Sequence, residues 1–595
     1  MLMKLLRSAF RPGAHADTLV NRSLALRKEG RLHDAEQLLR DAAGKFPEDA
    51  VVATNLGVVL LEQDRAEDGV GWLQRALVLD PRCAPAHFNL ANILRGSGQR
   101  EQAIEHYRAA IAADSAFGYA REELLNCLLE VCDWDGADCV ADELRATIER
   151  EPAAQWMRYV SPLTALYLGL APAQVKAISM HHAAECARGI APLQRAGADA
   201  AHDVENPARL RIGYLSRDLR DHAVGHLLAN VFSLHDRARF EIYAFSYGAD
   251  DASGYRKTIA AGVDRFIDAH AMTDDELAVA IAAAGIHVLV DLAGHTTGNR
   301  MPVLARRTAP VQAHYLGFAA TTGAEYIDYF ISDRMATPPS MADAFSEKLA
   351  YVAHCFMLSD GTDALHVAAD ATTVACPQFA PDAVVFCNFN NGSRIARDDF
   401  AAWMEILRGV PGSVLWLQGA TPLAVGYLRS AAQRCGVEPG RIILAQRVPT
   451  KREHLARLHR ADLMLDTISW HNAHSTASDA LWAGVPLLTV PGKHFANRVA
   501  ASLATAAGLA ELVRPDRSDY VQTALRLGRN RAELGALKRK LSARAAPFFD
   551  TQMRVRDLEA AYLGMWKDHL DRARIAAGSR PDRAEAVTMR GRNLR

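Results

Sequence analysis

The sequence predicts an α-helical repeat arm followed by two doubly wound α/β domains facing each other across a cleft. Three observations predict it: a 34-residue periodicity near the start, apolar strands alternating with helical segments after residue 209, and a second such alternation after residue 383. At 595 residues the chain exceeds what one hydrophobic core sustains, so several domains are expected. A formal net charge of −1 gives no global basic field to draw nucleic acid, and no nucleic-acid partner is expected. Nine scattered cysteines without a CxxC pair imply reduced thiols in a cytoplasmic protein. No run of about 18 uncharged apolar residues occurs, so stable membrane insertion is not expected.

Residues 1–16 read as a short lead, because the apolar start Met1-Leu2-Met3 is broken by Lys4 and Arg7 before signal-peptide length. In the arm, taken as residues 17–187, Pro47 and Pro81 stand one period apart and a third period lands at Ser115. Ala35, Gly69 and Ala103 recur at that step, as do Ala42, Ala76 and Ala110, the small positions where paired helices approach closely. Gly30 and Gly98 occupy matching turns. These are tetratricopeptide-like hairpins, three across residues 17–118, with less regular helices to about 185. Asn21, Asn55 and Asn89 keep the same register and are expected to line one surface, where their amides pair with the backbone of an extended polypeptide.

Residues 188–208, rich in Ala, Pro and Asp, read as a linker. The first α/β domain, 209–382, has strands at 210–216, 241–245 and 287–292, a helix at 274–285, and a bridge at 355–382. The second, 383–574, has strands at 384–390, 414–417, 441–444, 463–465 and 486–490. Continuous apolar strands alternating with helices imply parallel sheets covered on both faces. The Arg-rich remainder, 575–595, reads as a disordered basic tail.

Residues 465–486 carry the most chemical information. A strand gives way to a polar loop, and a helix opens at Ser475-Thr476. Free amides and partial positive charge at a helix N-terminus suit a pyrophosphate. The hydroxyls of Ser475 and Thr476 add donors, and His474 is placed to contact a phosphate or sugar oxygen. Thr476-x-x-Asp479 also has the form of a capping box, which serves stability alone. Upstream, Lys451, His454 and Arg457 share one helical face, suited to ribose and base or simply to solvent. Asp133-Trp134-Asp135 falls in the arm and reads as a surface turn, so no essential divalent ion and no cofactor are expected.

These segments together resemble the tetratricopeptide-repeat O-linked N-acetylglucosamine transferases over roughly residues 17–570. The resemblance is carried by Asp291-Leu292-Ala293-Gly294-His295-Thr296-Thr297-Gly298, Ala309-Pro310-Val311-Gln312, Ser346-Glu347-Lys348-Leu349, Phe386-Cys387-Asn388-Phe389-Asn390-Asn391, Asn472-Ala473-His474-Ser475-Thr476, Leu481-Trp482-Ala483-Gly484-Val485-Pro486 and Asn497-Arg498-Val499-Ala500-Ala501-Ser502. It implies a tetratricopeptide superhelix ahead of two Rossmann-like domains, a GT-B-type glycosyltransferase. It implies that Lys451, His454 and Arg457 hold uridine, that His474, Ser475 and Thr476 cradle the diphosphate, and that Asp479 takes the ribose hydroxyls. Asn391 and Arg394 then stand at the phosphates, and His222 stands near the acceptor as general base. The implied reaction is a metal-independent, inverting transfer from a UDP-sugar, N-acetylglucosamine first, to Ser or Thr of polypeptide acceptors. The acceptor proton goes to His222 or to a donor phosphate oxygen, and a homodimer remains open.

Three positions depart from the family pattern. Arg394 replaces the usual Lys, which is not a conservative change at a phosphate. The sugar-facing loop, usually Gly-aromatic-Pro-Gly-Thr, reads Gly317-Phe318-Ala319-Ala320-Thr321. Trp470-His471 lengthens the loop before His474 by a residue. Two alternatives follow: a UDP-hexose donor such as UDP-glucose, or a repeat scaffold whose transferase part binds UDP without turnover.

Overall fold

A computed structural model describes residues 15–193, 207–365 and 377–578. The arm's first three hairpins are His15–Lys28 with Leu32–Lys45, Ala50–Glu62 with Ala66–Leu79, and Ala84–Gly96 with Arg100–Ala113. A fourth follows without a break, Gly118–Glu130 with Trp134–Arg150, where the sequence shows only less regular helices. Its kinship lies in the backbone. Gly30, Asp64, Gly98 and Cys132, each 34 residues from the next, all turn with φ between 58° and 87°. Asp64 and Cys132 take this left-handed conformation without the freedom of glycine, so residue identity alone conceals the repeat. The small residues do what their spacing implies. Ala35, Ala42, Ala76, Ala103 and Ala110 are fully buried, and a Cβ on Gly69 would lie 2.9 Å from the Gly57 carbonyl.

Asn55 and Asn89 are buried, whereas Asn21 is exposed. The Nδ2 groups of Asn55 and Asn89 donate within their own helices, to the carbonyls of Val51 (2.8 Å) and Pro85 (2.7 Å). The asparagines therefore do not form a row of open amides, because the first helices of neighbouring hairpins pack over one another and cover them.

Helix Pro172–Ala187 closes the arm against the first α/β domain. Gly323 leaves no room for a Cβ beside the Met180 amide nitrogen, and the Tyr326 hydroxyl donates to the Ala183 carbonyl. The Leu193 amide donates to Arg306 at the start of the expected linker, whose residues 194–206 lie outside the described set, as do residues 1–14 and 366–376.

The first domain contains β1 (Leu210–Ser216), β2 (Phe240–Ser246), β3 (Arg265–Asp268), β4 (Val288–Asp291), β5 (Val311–His314), β6 (Tyr329–Ser332) and β7 (Lys348–Tyr351), in the order β3-β2-β1-β4-β5-β6-β7. The second contains β8 (Val385–Asn388), β9 (Val414–Leu417), β10 (Ile442–Leu444), β11 (Leu463–Leu465) and β12 (Leu487–Leu488), in the order β10-β9-β8-β11-β12. Every pairing is parallel. Strand order reverses between β1 and β4 and between β8 and β11, and such switch points open a crevice at the strands' carboxyl ends.

Helix Thr551–Gly578 leaves the second domain and packs on the first sheet. Buried Arg554 donates to the carbonyls of Met357 (2.8 Å) and Ser359 (2.6 Å) in the bridge. The Tyr562 hydroxyl meets that of Tyr214 on β1 at 2.9 Å. The segment grouped with the second domain by sequence thus ends on the first, and its helix continues through Gly578 into the stretch expected to be disordered. Residues 579–595 lie outside the described set. No described helix is long and apolar enough to cross a membrane.

Candidate active site at the second switch point

The chain leaving β8 carries Asn388 and Asn390, whose alternate positions put both side chains toward β11. Asn388 Nδ2 donates to the Leu465 carbonyl (2.7 Å), and Asn390 Nδ2 donates to Thr467 Oγ1 (2.9 Å). Asn390 Oδ1 accepts from the Thr476 hydroxyl at 2.5 Å, tying the β8 loop to the first turn of helix Ser475–Trp482. Asn390 lies in the 386–391 stretch that carries the family resemblance, which assigns it no role. Two asparagines one residue apart at a strand's carboxyl end were the available signal.

The loop into that helix is shaped by a buried carboxyl. Asp466 accepts from the Ala473 amide (2.8 Å) and the Thr489 hydroxyl (2.6 Å), and burial pushes its pKa up to about 8. The helix takes no side-chain cap. The capping-box form of Thr476-x-x-Asp479 is not realised: Thr476 bonds to Asn390, and Asp479 pairs with the Lys451 ammonium. The helix N-terminus is therefore not closed by its own side chains.

Arg394 stands beside it on the turn Gly392–Arg394, with Asn391 exposed at the turn's start and accepting from the Ser393 amide. Its guanidinium donates to the Asn472 carbonyl (3.3 Å), and no carboxylate pairs with it among the described residues. Burial lowers its pKa, an effect that Tyr167 and Asp466 oppose only in part. His474 is held neutral, its pKa pushed down to about 3 by burial and then by Arg394. Its Nε2 lies 3.1 Å from the Ala496 carbonyl. A carbonyl only accepts, so the one proton of the neutral ring sits on Nε2, leaving Nδ1 an acceptor. With that tautomer, Nδ1 is able to accept from a hydroxyl.

Lys451, His454 and Arg457 do share a face of helix Lys451–Leu458. Arg457 lies 4.9 Å over the Phe389 ring and donates to His454 Nδ1 (2.9 Å), and His454 Nε2 is 3.7 Å from Asp479. Burial brings the His454 pKa down to about 4. The four residues form a cluster beside the Phe389 ring, with Lys451 committed to Asp479. Ser475 is half-buried at the helix start.

His222 belongs to the first domain, in the loop after β1, as N-cap of helix Ala223–Leu228. Its Nδ1 accepts from the Val224 amide (3.3 Å) and lies 3.7 Å from Asp218, while burial lowers its pKa. Residues of the second domain reach the first: Ser502 donates to Asp333 (2.5 Å) and Arg498 to the Met335 carbonyl (3.1 Å). In the sugar-facing loop Phe318, Ala319 and Ala320 are buried, and Glu347 accepts from the Thr321 hydroxyl (2.6 Å) and the Thr322 amide (2.7 Å). The Asp133-Trp134-Asp135 segment is no surface turn. Asp133 caps helix Trp134–Arg150, and buried Trp134 donates to the Ile395 carbonyl. No cluster of three or more metal-ligating side chains occurs among the described residues.

Comparisons with known proteins agree with this arrangement. The pattern of glycosyl transferase family 41 matches residues 131–376 and 367–558, and tetratricopeptide-repeat patterns match 20–86 and 84–117. A probable UDP-N-acetylglucosamine–peptide N-acetylglucosaminyltransferase SEC of Arabidopsis thaliana is 33% identical, over 75% of this chain and 47% of its own. A Caenorhabditis elegans UDP-N-acetylglucosamine–peptide N-acetylglucosaminyltransferase is 27% identical, over 73% of this chain and 48% of its own. The chain thus spans about half the length of these curated relatives. The solved structure of a mutant Thermobaculum terrenum O-GlcNAc transferase superposes with a TM-score of 0.65 at 27% identity, covering 95% of this chain and 100% of that one. With the family pattern spanning most of its length, this chain belongs to glycosyl transferase family 41.

Proposed function

We propose that the protein transfers a sugar from a UDP-sugar to Ser or Thr hydroxyls of polypeptides, with inversion and without metal. The observation that carries this reading is Arg394, a part-buried guanidinium without a carboxylate partner among the described residues, beside a helix N-terminus that no side chain caps. A diphosphate supplies the missing anion. Lys451, His454, Arg457 and Asp479 take the nucleoside, with Phe389 beneath them. Asn391, Ser475 and Thr476 border the diphosphate, and His474 Nδ1 accepts from a sugar hydroxyl.

In the reaction the acceptor oxygen attacks the anomeric carbon as the carbon–phosphate oxygen bond breaks, and the electron pair leaves with UDP. Arg394 and the helix amides stabilise the charge that develops on the diphosphate. Lys451 contributes little to that stabilisation, since Asp479 already neutralises it. His222 accepts the Val224 amide at Nδ1, which places the neutral ring's proton on Nε2. That arrangement favours a donor phosphate oxygen as recipient of the acceptor's proton, with His222 donating a hydrogen bond.

The relatives' names point to UDP-N-acetylglucosamine as donor. A second reading, a UDP-hexose such as UDP-glucose, is favoured by Ala319-Ala320 in the sugar-facing loop. Incubation with single UDP-sugars, read as UDP release and as the mass added to a polypeptide acceptor, tests both. Release of UDP from none of them would leave only the inactive-scaffold alternative.

A further inference from the structure

The turn that carries Arg394 is built against the helical arm. The Trp134 indole N–H donates to the Ile395 carbonyl (2.9 Å), and the Cys132 thiol approaches the Gly392 carbonyl (3.9 Å). Gly392 lies so close to the Glu130 carbonyl that a Cβ would sit 2.5 Å from it. The Tyr167 hydroxyl donates to Ser393 Oγ (3.4 Å), and its ring meets Trp470 edge to face, 5.9 Å between centroids. The Trp470 indole closes the circuit by donating to the Ser393 carbonyl (3.2 Å). Backbone positions 392, 393 and 395 are thus each held by the arm or by the residue that lengthens the neighbouring loop. Among the described residues, the guanidinium itself has the Asn472 carbonyl as its single hydrogen-bond partner. Where the turn sits therefore decides where the cation sits, and a displacement of about 1 Å is enough to impair a charge-stabilising contact.

We propose that Trp134 and Tyr167 of the arm, with Trp470, are positioning residues for Arg394, making the fourth hairpin a wall of the donor pocket. This rests on the reading of Arg394 as the cation at the diphosphate. It gives the arm a role in donor chemistry that is separate from any polypeptide it holds. The same arm–domain interface also contains an exposed contact just beyond the turn that makes no bond to positions 392–395, Arg397 with Asp135 (2.7 Å) and Asp138 (2.8 Å).

The test is UDP release from the donor by the full chain, without polypeptide, resolved into kcat and KM. Trp134→Phe keeps a ring against Phe400 (5.2 Å between centroids) but removes the N–H donor. It is expected to lower kcat about ten-fold, the equivalent of one hydrogen bond. Arg397→Gln is expected to leave kcat unchanged. Trp134→Phe is expected to cost nothing further in an Arg394→Met background, because its effect passes through Arg394. Trp470→Phe, which removes a donor to the same turn from the other side, serves if Trp134→Phe fails to fold. Wild-type kcat for Trp134→Phe beside an impaired Arg394→Met overturns the inference and leaves the donor site intact. Equal losses from Trp134→Phe and Arg397→Gln, or multiplicative losses with Arg394→Met, overturn it in favour of general packing. Undiminished turnover by Arg394→Met alone overturns the donor-site reading itself.

Discussion

Arg394 is part-buried with one carbonyl partner and no carboxylate among the described residues, so replacing it should move stability and turnover in opposite directions. A part-buried cation without a carboxylate partner costs about 2–3 kcal/mol, and Arg394→Met removes that cost while giving up one hydrogen bond worth about 1 kcal/mol. The net expectation for the ligand-free protein is a gain of about 1–2 kcal/mol, visible as a rise of a few degrees in Tm. With donor bound the sign reverses. A hydrogen bond to a charged group contributes roughly 1.5–3 kcal/mol, so kcat/KM should fall roughly 10- to 150-fold. Arg394→Lys keeps the charge without the fork and should fall between the two. Thermal melting with and without UDP, beside UDP release, reads both effects. A variant that melts lower than wild type yet turns over within two-fold would refute the reasoning.

Other expectations follow from the same site. Asp466 has its pKa raised to about 8, so between about pH 4 and 8 the folded chain keeps a proton that the unfolded chain has lost. Stability should therefore fall as pH rises through that window. Asp466→Asn should flatten the dependence by an amount on the order of 4 kcal/mol, which denaturant titrations at pH 5 and 8 would detect. His474, with a pKa near 3, should contribute no limb to the pH–rate profile between pH 5 and 8, whereas His474→Ala should lose most transfer. Asp479→Asn leaves Lys451 a largely buried cation without its partner. It should cost about 2 kcal/mol of stability and raise KM for the donor, measured by melting and initial rates.

Legibility in the sequence tracks how locally each feature is encoded. The first three hairpins are plain because Ala and Gly recur wherever helices touch. The fourth is hidden because Cys132 adopts the backbone conformation for which Gly30 and Gly98 are the usual signal. β9 and β11 match uninterrupted apolar runs and β1 spans seven residues, while β3, β5, β6 and β7 are four-residue strands each containing a polar or charged residue (Arg265, Gln312, Ser332 and Lys348). The helix opening at Ser475 was legible from its polar loop. Its real partners were not, since Thr476 bonds to Asn390 and Asp479 to Lys451 across gaps of 86 and 28 residues. Trp134 shows the same limit more sharply. Flanked by two aspartates it reads as a surface turn, yet it is buried against Ile395, 261 residues away.

The most direct test of the account is the intact mass of a Ser/Thr-containing polypeptide after incubation with the protein, EDTA and each UDP-sugar in turn. The account predicts one mass increment per site equal to a single transferred sugar, with UDP released in step and no rescue needed from divalent metal. Polypeptide mass unchanged with every UDP-sugar, or an increment that appears only when metal is restored, would contradict it.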